Sequence, residues 1–233
     1  MGGKTTMELC RLRIMQVGKG LIMKGIFLPG YACSSYIWEP IKNKINKNFN
    51  GKLIDWPKEK TKKYDSINDF VSWVNKEYLY GDNIDYLVGH SMGGLVSLNI
   101  AEKTDKIKKV ILIESYLYTP SHFFRNIVMG NTSEIIKNNI LNMLEKEKDN
   151  YSETLKNKLR DINMMSLINK VKCDINLIYG DRGINDKNKI ISELKLAPKM
   201  LSKLNIRIVK NTCHFPMIEN PEETTVILSE LLT

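Results

Sequence analysis

In the stretch YLVGHSMGGLVSLNI, Tyr86 to Ile100, Ser91 stands between glycines where an apolar, strand-like run gives way to an apolar, helix-like one. A nucleophilic serine needs its hydroxyl clear of the backbone, amides nearby and a base in reach. A tight strand-to-helix turn meets the first need by raising the side chain at its tip. Such a turn leaves little room, and Gly89, Gly93 and Gly94 supply the small residues it requires. A helix starting at the serine also offers free N–H groups and the positive end of its dipole to a developing oxyanion. G-x-S-x-G recurs by chance, but here it follows YLV and precedes LVSLNIAEK, the context the chemistry requires.

An oxyanion hole needs a second donor. LPGYA ends an apolar run, and the amide after Gly30 can aim at the same point. The expected main-chain donors are therefore Tyr31 and Met92.

Three histidines are available as general base: His90, His122 and His214. His90 adjoins the serine, so the turn should point it elsewhere. His122 falls in a helical stretch away from the alternating strands. His214, in NTCHFPMIENPEE, follows the last strand-like run and returns to the same edge as Ser91, which favours it as the base.

GHSMGG, LPGYACSSYIW and CHFPMIENPEE together resemble the α/β-hydrolase superfamily over Gly25 to Thr233. Within it, LPGYACSSYIW and a small helical insertion are similar to esterases of the pimeloyl-carrier methyl ester type. The resemblance implies a Ser–His–acid triad in which a carboxylate holds the imidazole in the right tautomer. The family usually places an Asp three residues after the glycine of INLIYG, and here that position is Gly183, flanked by Asp181 and Asp186. A second arrangement, in the haloalkane dehalogenase branch, puts a Glu directly after the preceding strand and leaves a glycine at the usual site. Glu114 in KKVILIESYLYTP fits that pattern, and a carboxylate at the tip of VILI would be partly desolvated and want a partner such as His214. Glu114 is the favoured acid, with Asp186 and Asp181 as alternatives. The dehalogenase activity does not carry over, because its nucleophile is an aspartate where this chain has Ser91.

The elements that must position these groups follow from periodicity. GIFLPG, GKLIDWP, IDYLVG, KKVILIE, INLIYG and NIRIVKN read as buried strands, and ELCRLRIMQVGKGLIMK as a hairpin turning at Gly18-Lys19-Gly20. Between them, DSINDFVSWVNKEY (capped by Asp65 or Ser66), Gly94 to Lys103 and PEETTVILSELL read as helices. The pattern predicts an α/β fold: a mostly parallel sheet covered on both faces. The alternation breaks where TSEIIKNNILNMLEKEK and YSETLKNKLRDINMMSLI give two helical patterns, with stripes at Ile136, Ile140 and Leu144 and at Leu155, Leu159 and Ile162. The expected organisation is a core of residues 1–115 and 171–233, with residues 116–170 a helical cap inserted after the sixth strand, over the ligand-binding edge of the sheet. The cap offers Tyr118, Phe123, Phe124 and Met129, with Met143, Met164 and Met165, to line an apolar acyl channel.

Composition narrows the rest. The 233 residues suit one domain, and 42% hydrophobic with 26% charged content is ordinary for a globular protein. No apolar run reaches the length of a membrane span, no leader resembles a secretion signal, and a cytoplasmic setting is expected. Cys10, Cys33, Cys173 and Cys213 form no CxxC pair, which argues against a zinc site or disulfide framework. The net charge of +9 attracts acidic partners, an acidic carrier protein among them, but the lysines are dispersed and no aromatic-interleaved stripe suggests nucleic acid. MGGKTT lacks the spacing of a phosphate loop; it matches a myristoylation pattern and reads better as a leader before Met7. The expected activity is hydrolysis of a carboxylic ester, free or carrier-linked, through an acyl-enzyme and without cofactor or metal. An acyl thioesterase and a non-catalytic ligand receptor on the same fold are the alternatives.

Overall fold

The computed structural model describes residues 23–44, 49–81 and 83–232; the expected hairpin, Cys10 and the leader lie outside them. The strands are β1 (Met23–Leu28), β2 (Phe49–Leu53), β3 (Tyr86–His90), β4 (Lys109–Ile113), β5 (Asp174–Gly180) and β6 (Leu204–Val209). All six apolar runs read as strands thus form them. They make one sheet in the order β2-β1-β3-β4-β5-β6, and every neighbouring pair is parallel. Parallel neighbours need crossover connections, usually helical. The helices are α1 (Glu39–Lys42), α2 (Lys58–Thr61), α3 (Ile67–Val74), α4 (Met92–Lys103), α5 (Glu134–Lys148), α6 (Glu153–Arg160), α7 (Lys187–Glu193), α8 (Pro198–Leu201), α9 (Pro216–Glu219) and α10 (Pro221–Leu232).

Successive side chains of a strand point to opposite faces, and the core divides accordingly. Ile26, Leu28, Leu87, Val110, Leu112, Leu177 and Tyr179 pack on one side with Phe70, Val71 and Val74 of α3 and Leu95, Val96 and Leu98 of α4. Phe27, Val88, Ile111, Ile113 and Ile178 pack on the other with Ile37, Trp38 and Ile41 near α1 and Ile227, Leu228 and Leu231 of α10. Helix α3 starts at Ser66, whose amide donates to Asp69 Oδ2 at 2.9 Å. No helix among the described residues is long and apolar enough to cross a membrane.

Register brings the chemistry together. His90 pairs with Ile113 and Ile113 with Ile178, so β3 and β4 end level beside β5, which runs on two residues to Gly180. The residues stepping off the first two are Ser91, whose N–H donates to Ile113 O at 2.8 Å, and Glu114, whose N–H donates to Ile178 O at 2.9 Å.

The 60-odd residues between β4 and β5 hold α5, α6 and two 3₁₀ turns, His122–Arg125 and Met165–Asn169, and no strand of the sheet. The Ile136, Ile140 and Leu144 stripe of α5 packs inward, with Ile140 fully buried. The second helical pattern is shorter than its periodicity predicts. Ser152 caps α6 by accepting from Leu155 N at 3.1 Å, but the helix stops at Arg160. There the chain turns back, Met164 N donates to Leu117 O at 2.7 Å, and Asn163 bridges to Tyr118. The local pairing outcompetes continued helix in DINM, where Asp and Asn favour turns.

Candidate active site

Ser91 has φ 50° and ψ −118°, a conformation costly for a residue with a side chain, between β3 and the first turn of α4. The turn closes so tightly that a Cβ at Gly89 would overlap the Gly93 carbonyl, and one at Gly93 would overlap the Leu28 carbonyl. The glycines are thus read by the backbone itself. The main-chain amides of Tyr31 and Met92 find no acceptor among the described residues, although Met92 is buried. Unpaired amides beside a raised hydroxyl are suited to an anionic oxygen.

His214 stands on the loop between β6 and α9, its amide donating to Ile127 O at 3.0 Å. His90 is fully buried, its Nε2 lying 2.8 Å from the His214 carbonyl. A carbonyl accepts only, so His90 Nε2 carries the proton and the buried Nδ1 is left without a partner. Burial, and then the neighbouring His214, hold the His90 imidazole down to about 3, so it stays neutral.

Glu114 is fully buried, with φ 52°. Its Oε1 accepts from Gly180 N at 2.6 Å and Arg182 Nη1 at 2.7 Å. Its Oε2 accepts from Arg182 Nη2 at 2.5 Å and from the Tyr116 hydroxyl, and lies 3.4 Å from His214 Nδ1. Burial alone would raise this carboxyl, but Arg182 outweighs it and, with His214, brings Glu114 down to about 2. The hydroxyl of Tyr116 is pushed well up, by burial first and then by Glu114, so it remains a donor.

Arg182 went unmarked in the sequence. Its guanidinium is 3% exposed, donates also to Gly180 O at 2.8 Å, and stacks 4.8 Å from the Phe124 ring centroid. Asp181 and Asp186 are occupied elsewhere: Asp181 Oδ1 accepts from Gly183 N at 2.8 Å, while Asp186 Oδ1 caps α7 through Asn188 N and Lys189 N at 3.0 and 3.1 Å. Gly183 itself has φ 77°, a left-handed turn that a side chain would strain.

The side chains of Ser91 and His214 line one cavity of about 270 Å³, walled by Tyr116, Phe124, Ile127 and Leu144. A second, more open space of about 600 Å³ adjoins it at Ser91 and Tyr31. Of the four expected substrate contacts, Phe124 lines the first cavity. Tyr118 lines a separate shallow depression with Leu117 and Leu194. Phe123 packs edge-on against Phe124, and Met129 bonds through its amide to Glu219; neither lines the space at Ser91. The Cys33 thiol lines the cavity, but burial pushes its ionisation up, so it is a neutral neighbour rather than a rival nucleophile. His122 sits exposed in its 3₁₀ turn. Among the described residues no group of three His, Cys, Asp or Glu side chains is placed to hold a metal ion.

The model of the α/β-hydrolase fold matches residues 26–146, just over half of the chain. The chain belongs to the α/β-hydrolase fold family. Among solved structures it is similar to the carboxylesterase CesB from Bacillus subtilis, with 15% identity, a TM-score of 0.65 and coverage of 90% of this chain and 83% of that one. It is also similar to MenH from S. aureus, with 14% identity, a TM-score of 0.65 and coverage of 92% and 95%. A bromoperoxidase from Bacillus anthracis gives 16% identity, a TM-score of 0.70 and coverage of 90% and 92%. At these identities the likeness is one of fold. No curated protein matches the chain by sequence.

Proposed function

We propose that this α/β-hydrolase is a serine esterase, with Ser91 as nucleophile, His214 as general base and Glu114 as the acid behind it. The observation that carries the reading is that Ser91 and His214 line the same cavity, while Glu114 Oε2 lies 3.4 Å from His214 Nδ1. Of the three candidate acids, Glu114 is the one in contact with His214, whereas Asp181 and Asp186 are taken up by local turns. The likeness to a carboxylesterase fold agrees with this choice.

His214 takes the Ser91 proton as Oγ attacks the ester carbonyl, and the oxyanion settles against the Tyr31 and Met92 amides. Collapse breaks the carbonyl–oxygen bond, and the alcohol leaves with the proton from His214. Water, deprotonated by His214, then attacks the acyl-Ser91; the acid departs and Ser91 recovers its proton. Residues 116–170 act as the cap, with Phe124, Ile127 and Leu144 contributing an apolar wall for part of the substrate.

A fluorophosphonate probe with a panel of p-nitrophenyl esters and matched acyl thioesters tests the reading. The expected result is labelling of Ser91 and turnover of short acyl esters. Faster thioester turnover at equal acyl length would make it a thioesterase, and a folded protein that neither labels nor turns over would be a ligand receptor.

A further inference from the structure

We infer that the ester cleaved at Ser91 carries a negatively charged group, a carboxylate or phosphate, on one side of the scissile bond, held by Arg125, Arg160 and Lys156. This rests on the reading of Ser91 as nucleophile, but on a different set of residues. The two spaces that meet at Ser91 differ in character. One is walled largely by Phe124, Ile127, Leu144 and Phe215. The other is bounded by Arg125, Lys156 and Arg160 with Thr119, Pro120 and Leu159, and no carboxylate lines it. Arg125 borders both.

Two of the three cations have no carboxylate partner among the described residues. Arg125 has no hydrogen-bond or ion-pair partner among the described residues. Arg160 bonds through Nη1 to the neutral Asn157 Oδ1 at 3.4 Å. Lys156 pairs with Glu153 at 3.1 Å, an exposed contact between neighbouring turns of α6. Around Tyr31, the acids Glu153 and Asp149 face Lys156 and Arg160, and Arg125 adds a third cation to the wall of the open space. Two guanidinium groups and an ammonium around an open volume beside a nucleophile form a receptor for a compact oxyanion, since the planar guanidinium fork matches carboxylate and phosphate alike. A neutral ester fills the apolar space but leaves the basic one to water. Because the cations are solvent-facing, each contact contributes modestly, so a preference of about tenfold is expected from the group.

The test compares kcat/KM for matched neutral and anionic esters: p-nitrophenyl butyrate against mono-p-nitrophenyl glutarate for a charge on the acyl side, and the butyrates of 4-hydroxybenzamide, 4-hydroxybenzoate and 4-hydroxyphenyl phosphate for a charge on the leaving side. The last two separate carboxylate from phosphate. In at least one series the anionic ester should be preferred by about tenfold, about 1.4 kcal/mol. The ratio should shrink as salt rises and fall near one in R125Q/R160Q. A ratio near one in every series, with neutral esters turned over, overturns the anion site and leaves the esterase reading standing. A preference that survives in R125Q/R160Q overturns the residue assignment. Absence of any turnover together with absence of Ser91 labelling removes the esterase reading and this inference with it.

Discussion

Arg182 reaches Glu114 across 68 positions of sequence and meets both oxygens of its carboxylate, at 2.7 and 2.5 Å. The proposed acid behind His214 is therefore half of a buried, two-pronged ion pair. Desolvating a lone carboxylate at the end of β4 would favour its neutral form; the guanidinium, itself kept charged by Glu114 against its burial, reverses that. The arrangement fixes the plane of the carboxylate, leaving Oε2 directed at the imidazole.

Arg182→Met should destabilise the fold by about 3–5 kcal/mol near neutral pH, because it strands a buried charge. The pH dependence has a definite sign. Glu114 has an ordinary value of 4.5 and a folded value of about 2, so its contribution is complete above 4.5 and is lost as pH falls toward 2. Denaturant midpoints of the wild type and the variant should converge over that interval. Parallel curves would show that the pair does not govern acid stability.

Glu114→Gln should cut turnover by about 10²–10⁴, the scale on which a triad base loses its orienting acid. Asp186→Asn and Asp181→Asn should cost less than about tenfold, through loosened turns. The ranking of kcat/KM among folded variants, checked by circular dichroism, decides the acid; an Asp variant below Glu114→Gln would reassign it.

Ser91→Ala should abolish both turnover and fluorophosphonate labelling while leaving the melting temperature within a few degrees, since the side chain faces a cavity. Mass spectrometry of the labelled wild type should place the adduct on the peptide containing Ser91. An adduct elsewhere would displace the proposed nucleophile.

Gly93→Ala should disturb activity before stability is exhausted. Its Cβ would overlap the Leu28 and Pro29 carbonyls, forcing the turn away from β1 and moving the Met92 amide with it. A loss of about 1–3 kcal/mol in stability is expected from such overpacking, with kcat falling more than KM changes.

Much of this architecture could be read from residue order. The six strands announce themselves because buried parallel strands are continuous apolar runs, and the serine turn because glycines occur where backbone meets backbone. The choice of Glu114 needed a vacancy elsewhere, at Gly183, whose left-handed backbone makes glycine the natural occupant. What stayed hidden is pairing over long separations. Arg182, in a polar loop, looks like any solvated surface cation, since arginine is seldom fully buried. The same holds for Glu147, buried within the Lys- and Glu-rich α5 and held by Lys58 Nζ at 2.6 Å. The early end of α6 was equally hidden, because an apolar stripe records which face is buried and not where a helix yields to a bridge.

The imidazole next to Ser91 ties two loops together. With its Nε2–H committed to the His214 carbonyl and its other nitrogen walled in beside Gly30, His90 serves as a strut between the Ser91 turn and the loop that carries His214. Two rings 4.8 Å apart thus have different jobs, and replacing the His214 side chain would leave the anchorage of His90 intact, since the anchor is the main-chain carbonyl. Acid would place a second proton on the walled-in Nδ1, which has no acceptor, so the Nε2–H bond would persist while a buried, unpaired charge loosened the packing around it.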